Sequence, residues 1–111
     1  MPEMTTYERA LQIYLVLVSA AQNRQTLTYS LLGKAVGLPA RGLAPHLTHI
    51  AKYCERNALP PLTVLVVKTG AGHPGSGLAE LLDQDRKRED VYRRDWFKLR
   101  PPTAEALKAS R

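Results

Sequence analysis

The sequence predicts a small α+β domain, a winged helix-turn-helix with an additional C-terminal helical segment. Three observations carry this expectation. Thr26 to Asn57 reads as two helices joined by a Gly-Leu-Pro turn. Leu62 to Val67 is a short, continuous, β-branched apolar run with the composition of a strand. Thr69 to Gly77 is then glycine-rich and takes the place of a wing.

The elements follow in order. Thr5 and Glu8 form a capping-box pair, so a helix begins near Thr6 and runs to about Asn23. Leu11, Ile13, Tyr14, Leu15, Leu17 and Val18 make it apolar nearly all round, with Tyr7, Arg9, Gln12 and Gln22 as wet edges. A helix of that kind is central and covered on several sides, and Leu15→Asp is expected to unfold the domain. Gln25 to Leu27 can form a very short strand. Thr28 caps a helix from Tyr29 to Val36 whose apolar face is Leu31, Leu32, Ala35 and Val36. Gly37 tolerates positive φ at its end, and Pro39 stops continuation.

The second helix starts at Gly42 or Leu43, with Pro45 tolerated in a first turn that needs no donor there. Leu43, Leu47, Ile50 and Cys54 form one stripe at helical spacing. After the stiff Ala58 to Pro61 connection, Leu62 to Val67 is expected as a strand buried on both faces. A helical stretch begins at Ser76 or Gly77 and passes through Leu78, Leu81 and Leu82. Asp85 to Lys98 is charged, but Val91, Tyr92, Trp96 and Phe97 keep a helical spacing suited to docking on the core. Pro101-Pro102 ends it, and Thr103 to Ser110 is expected as a frayed turn or nothing. Residues 1–100 thus read as a single domain and 101–111 as a short tail.

With 111 residues there is room for one modest core. The net charge of +6 favours a polyanionic partner without naming one. Residues 1–55 hold five Lys/Arg against three Asp/Glu, and 56–111 hold eleven against seven, so the excess is spread out. The single cysteine excludes an internal disulfide and a cysteine-only zinc site. Cys54 reads as a buried core residue near a helix C-terminus, the wrong end for an activated thiolate. Met1-Pro2-Glu3-Met4 lacks the basic start of a signal peptide, and Ile13 to Ala21 is too short to span a bilayer. A cytoplasmic protein without a membrane partner is expected. The glycine-rich segment has no Gly-Lys-Ser/Thr element, so a nucleotide cofactor is not expected.

Thr28-Tyr29-Ser30-Leu31-Leu32-Gly33-Lys34-Ala35-Val36-Gly37 is similar to the Thr/Ser-Tyr-Gly-x-Ile/Leu-Ala opening of one family's helix-turn-helix. Asn57 sits where that family has a hinge asparagine, and Gly75-Ser76-Gly77-Leu78 looks like its wing and last helix. In about half its length the chain therefore resembles the DNA-binding domain of alkylguanine-DNA alkyltransferases and alkyltransferase-like proteins. The family's Pro-Cys-His-Arg nucleophile segment is replaced by Thr63-Val64-Leu65-Val66-Val67-Lys68. Cys54 precedes Asn57 and cannot take that role, and the arginine-finger position holds Thr48, with His49 beside it. The resemblance implies a DNA-binding scaffold without the alkyl-transfer chemistry.

The candidate DNA-binding residues are Tyr29, Ser30, Arg41, His46, His49, Lys52, Arg56, Lys68 and His73. His46, His49, Lys52 and Arg56 are expected on the groove-facing side of the second helix, with Arg41 entering from the turn and Lys68 and His73 from the wing. His46 and His49 are three apart, a spacing that can hold a metal, yet no third ligand matches, so no metal is expected. Tyr29 is either a core-edge residue or, as the resemblance implies, the aromatic that holds a flipped nucleotide's phosphate. Arg86-Lys87-Arg88 and Arg93-Arg94 alternate with acids as solvated helix faces do, and could also meet phosphates or an acidic patch. No nucleophile–base spacing supports an enzyme. Two classes remain: a small double-stranded-DNA-binding protein, for instance a regulator working as a homodimer, or a docking module, an accessory factor or inhibitor on a larger nucleoprotein complex.

Overall fold

Helix α1 (Thr6–Gln22) begins at a complete capping box: Glu8 N donates to Thr5 Oγ1 at 3.1 Å, and Thr5 N donates to the Glu8 carboxylate at 2.9 Å. The computed structural model describes residues 4–68 and 78–110, without the side chains of 78–82. Strand β1 (Leu27–Thr28) leads into α2 (Tyr29–Val36), where Thr28 Oγ1 accepts from Leu31 N. Gly37, at φ 75°, closes α2 in the left-handed region. One turn earlier, a Cβ on Gly33 would run into the Leu38 carbonyl, so the chain can fold back this tightly only over glycine. A 3-10 turn, Ala40–Gly42, then delivers α3 (Ala44–Arg56) with Pro45 in its first turn.

A second 3-10 turn, Leu62–Leu65, precedes strand β2 (Val66–Val67). Helix α4 (Leu78–Arg93), a third 3-10 turn (Trp96–Lys98) and α5 (Ala104–Ala109) complete the order. The domain is mostly helical, and β1 and β2 form a two-stranded parallel sheet pairing Leu27 with Val66 and Thr28 with Val67. Helix α1 is central as expected. It buries Ala10, Ile13, Tyr14, Leu17 and Val18 and touches α2, α3, α5 and the Leu62–Leu65 turn.

Four expectations are corrected. Leu15 is 49% exposed and Leu31 54%, so α1 is not covered on every side and α2 does not bury its whole apolar face. Leu15→Asp would therefore put a carboxylate in contact with water, and no unfolding follows from it. Leu62 to Val67 is not one strand: Leu62 and Leu65 are fully buried while Thr63 and Val64 are not. Residues three apart eclipse in a 3-10 helix, which puts both leucines on the core side. Phe97 projects from the Trp96–Lys98 turn 72% exposed, while Val91 and Trp96 dock as expected and Trp96 Nε1 donates to the Val91 carbonyl at 2.8 Å. Finally, Thr103 to Ser110 is not frayed. Thr103 Oγ1 accepts from Ala106 N at 3.1 Å, Leu107 is fully buried, and α5 rests on α1 and α3. The proposed wing, Thr69 to Gly77, lies outside the described residues.

Candidate functional site

Four of the nine candidate residues lie on α3, and the burial of its apolar stripe fixes their directions. Leu43, Leu47, Ile50 and Cys54 are all in the core. At about 100° per residue, Lys52 and Arg56 fall opposite that stripe, whereas His46 and Tyr53 fall on its flank. Tyr53 meets Tyr14 of α1 edge-on, with ring centroids 5.9 Å apart.

The histidines therefore turn toward α1 rather than outward. His46 Nδ1 lies 3.2 Å from the Thr6 carbonyl, an acceptor, so the proton is on Nδ1. Burial is the main cause holding the His46 pKa below its usual 6.5, and the charge of Arg9 and the neighbouring His49 act in the same direction against the Thr6 hydrogen bond. His49 lies against Tyr7, with ring centroids 4.9 Å apart, and its buried Nδ1 has no hydrogen-bond partner among the described residues. The expectation of two groove-facing histidines is corrected: the N-terminal turns of α1 occupy that flank.

The outward surface belongs to other residues. Arg41, Pro45, Thr48, Lys52, Glu55 and Arg56 are exposed. Lys52 and Arg56, one turn apart, line a shallow pocket of about 240 Å³ with Glu55 and with Ser110, just past α5. Sequence reasoning missed α5 here; the Thr103 cap followed by a single leucine was the available signal. Tyr29 and Lys68 come together elsewhere. They are the next residues after the paired Thr28 and Val67, and in a parallel ladder both leave the sheet at the same end. Tyr29 is half-buried against the core, Ser30 is exposed in the first turn of α2, and His73 lies outside the described residues.

Charge divides these surfaces. On α4, Lys87 pairs with Asp83, Arg88 with Asp85, and Glu89 with both Arg93 and Arg24. Among the described residues, Arg41, Lys52, Arg56 and Lys68 have no such carboxylate partner. Cys54 is 1% exposed, and burial pushes its thiol up, so the thiolate is disfavoured. Asn57 uses its side-chain amide on the Tyr53 carbonyl at 2.9 Å, closing the last turn of α3. Among the described residues no three His, Cys, Asp or Glu side chains assemble as a metal-binding group.

In comparisons with known proteins no family model matches the chain, and no curated protein or solved structure is significantly similar to it.

Proposed function

We propose that this chain is a non-enzymatic protein of the winged-helix type that binds double-stranded DNA through the outer face of α3. The observation that supports this reading most is the unpaired charge there. Arg41, Lys52 and Arg56 project from α3 and the turn before it without acidic partners among the described residues, while the cations of α4 are mostly neutralised within their own helix. Lys68, leaving the sheet beside Tyr29, adds a further cation at the base of the segment read as a wing. The resemblance of Thr28 to Gly37 to the alkyltransferase helix-turn-helix points the same way.

In this reading Lys52 and Arg56 contact phosphates and set the orientation of α3, whereas Arg41, just ahead of its N-terminus, is nearest the base edges. His46 and His49 hold α3 against α1 instead of reading bases. Titration of a fluorescent duplex at several salt concentrations tests this. Lys52→Ala/Arg56→Ala is expected to weaken binding to all sequences and to reduce the slope of log affinity against log salt by about two. An unchanged slope excludes both residues as phosphate contacts. Failure of the parent protein to bind duplex at low salt would transfer the same face to an acidic protein partner.

A further inference from the structure

Helix α1 has two unlike sides. Tyr7 and Tyr14, seven residues apart, share the stripe that meets His49 and Tyr53 of α3. Arg9 and Val16, also seven apart, lie two residues further on, about 200° around the helix from the tyrosine stripe. On that side a groove of about 420 Å³ runs between α1 and α2, lined by Met4, Leu15, Val16 and Ala35, with Arg9 and Gln12 as polar lining. Met4 is 45% exposed and Leu15 49%; Leu31, 54% exposed, precedes the lining residue Ala35 by one turn of α2 and so shares its side of that helix. These are three of the four exposed large hydrophobics among the described residues. Scattered apolar residues are ordinary on a surface, but a contiguous set lining a concavity marks an interaction site.

The charge around the groove selects its occupant. No carboxylate of the described residues lines it. Arg9 donates to the Val36 carbonyl and keeps its charge at the groove, and Lys34, exposed beside Ala35, has no carboxylate partner among the described residues. Glu8, next to Arg9, is held by the Thr5 amide in the capping box. A second copy is disfavoured, because a two-fold axis through the groove would bring each Arg9 and Lys34 toward its own duplicate. A heterologous acidic partner meets no such repulsion. From Arg9 to Val16 the groove follows α1 for about 10 Å, the rise of two helical turns. That length matches apolar anchors at i, i+3 or i+4, and i+7 of a docked helix.

We propose that the α1–α2 groove binds an amphipathic helix with acidic flanks on a partner protein, on a surface separate from the α3 face. The probe is a fluorescent 20-residue peptide, about the length of six helical turns, with leucines at i, i+4 and i+7 and glutamates flanking them. Anisotropy titration should show saturable binding to the parent. Leu15→Asp and Leu31→Asp should each weaken it at least about tenfold, as expected when an anchor pocket receives a charge facing acidic residues. Both positions are half-exposed, so the variants should retain the parent's circular dichroism; Leu15→Gln serves if Leu15→Asp does not. A peptide with lysines in place of the glutamates should not bind, and Lys52→Ala/Arg56→Ala protein should bind like the parent. Lack of binding by the parent, undiminished binding by the variants, or loss in the α3 double variant would each overturn the proposal. Sedimentation showing a parent dimer that Leu15→Asp dissociates would give the groove to a second copy and overturn it equally.

Discussion

Helices α3 and α4 both carry closely spaced cations, and the fold treats them differently. On α4 three of the four cations find acids three or four residues away, among them Lys87 with Asp83 at 3.2 Å and Arg88 with Asp85 at 3.2 Å. Glu89 pairs with Arg93 at 3.2 Å and also reaches Arg24, whose guanidinium lies 5.1 Å from the centre of the Tyr92 ring. Exposed pairs of this kind add little stability. Their effect is on the field outside: the helix presents mixed charge and attracts no polyanion strongly. On α3, Lys52 and Arg56 stand one turn apart, with Glu55 the one acid between them in sequence. The cations of α4 are thus less available than their number suggests. Spacing, not count, decides where a basic protein can meet an anion.

The sharpest way to separate the two helices is to detach one. Trp96 anchors the end of α4 by its bond to Val91 and its edge-on contact with Tyr14. Trp96→Ala is expected to cost about 3–5 kcal/mol in denaturant unfolding, yet to leave the salt slope of the proposed DNA binding intact wherever the protein is still folded. Next in size is the charge contrast itself. Lys87→Ala/Arg88→Ala should leave that slope unchanged while Lys52→Ala/Arg56→Ala lowers it by about two; equal losses in both variants would erase the distinction between the helices.

Acid should expose a smaller difference. His46 titrates below 6.5 in the folded protein, so the unfolded chain takes up the proton first and stability falls as pH drops through 6.5. The pKa of Glu89 is lowered, first by its hydrogen bond to Arg24, so its contribution persists above 4.5 and fades only as pH falls below that. Melting temperatures between pH 7.5 and 5.5 should therefore decline less in His46→Gln than in the parent, with Glu89→Gln indistinguishable from the parent over the same range. A parallel decline in His46→Gln and parent would remove His46 as the acid-sensitive contact.

What could be read in the sequence was mostly local. The Thr5–Glu8 box, the Thr28 cap, Gly37 and the Leu43–Cys54 stripe each involve residues within a turn or two, and all lie where expected. Leu62 to Val67 was misread because a run apolar at almost every position has no period; burial of Leu62 and Leu65 together selects a 3-10 turn. Leu15 and Leu31 show the same gap at the level of packing. Periodicity reveals which stripes of a helix are apolar, not how many neighbours arrive to cover them. Leu17→Asp, at a fully buried position on the same helix, is expected to unfold the domain that Leu15→Asp leaves folded. The candidate site was legible in residue type but not in direction, since α1 and α5 take the flanks of α3 through contacts far apart in the chain.

The seam made by α5 has a consequence in time. Thr5 and Tyr7 share one cleft with Ala104, Glu105 and Lys108. Closing a loop of about 100 residues costs roughly 1.2 kcal/mol more than closing one of about a quarter that length; Arg9 to Val36, separated by 27 residues, is such a shorter closure. The α1–α2 contact can thus form early, and the α5 seam late. On the ribosome the side of the first α1 turns that faces α5 waits uncovered until Leu107 has emerged, while α3 can already cover the other side. In the finished protein the first turns of α1 and the whole of α5 should open together, so their amide hydrogens exchange as one group, faster than those of α3.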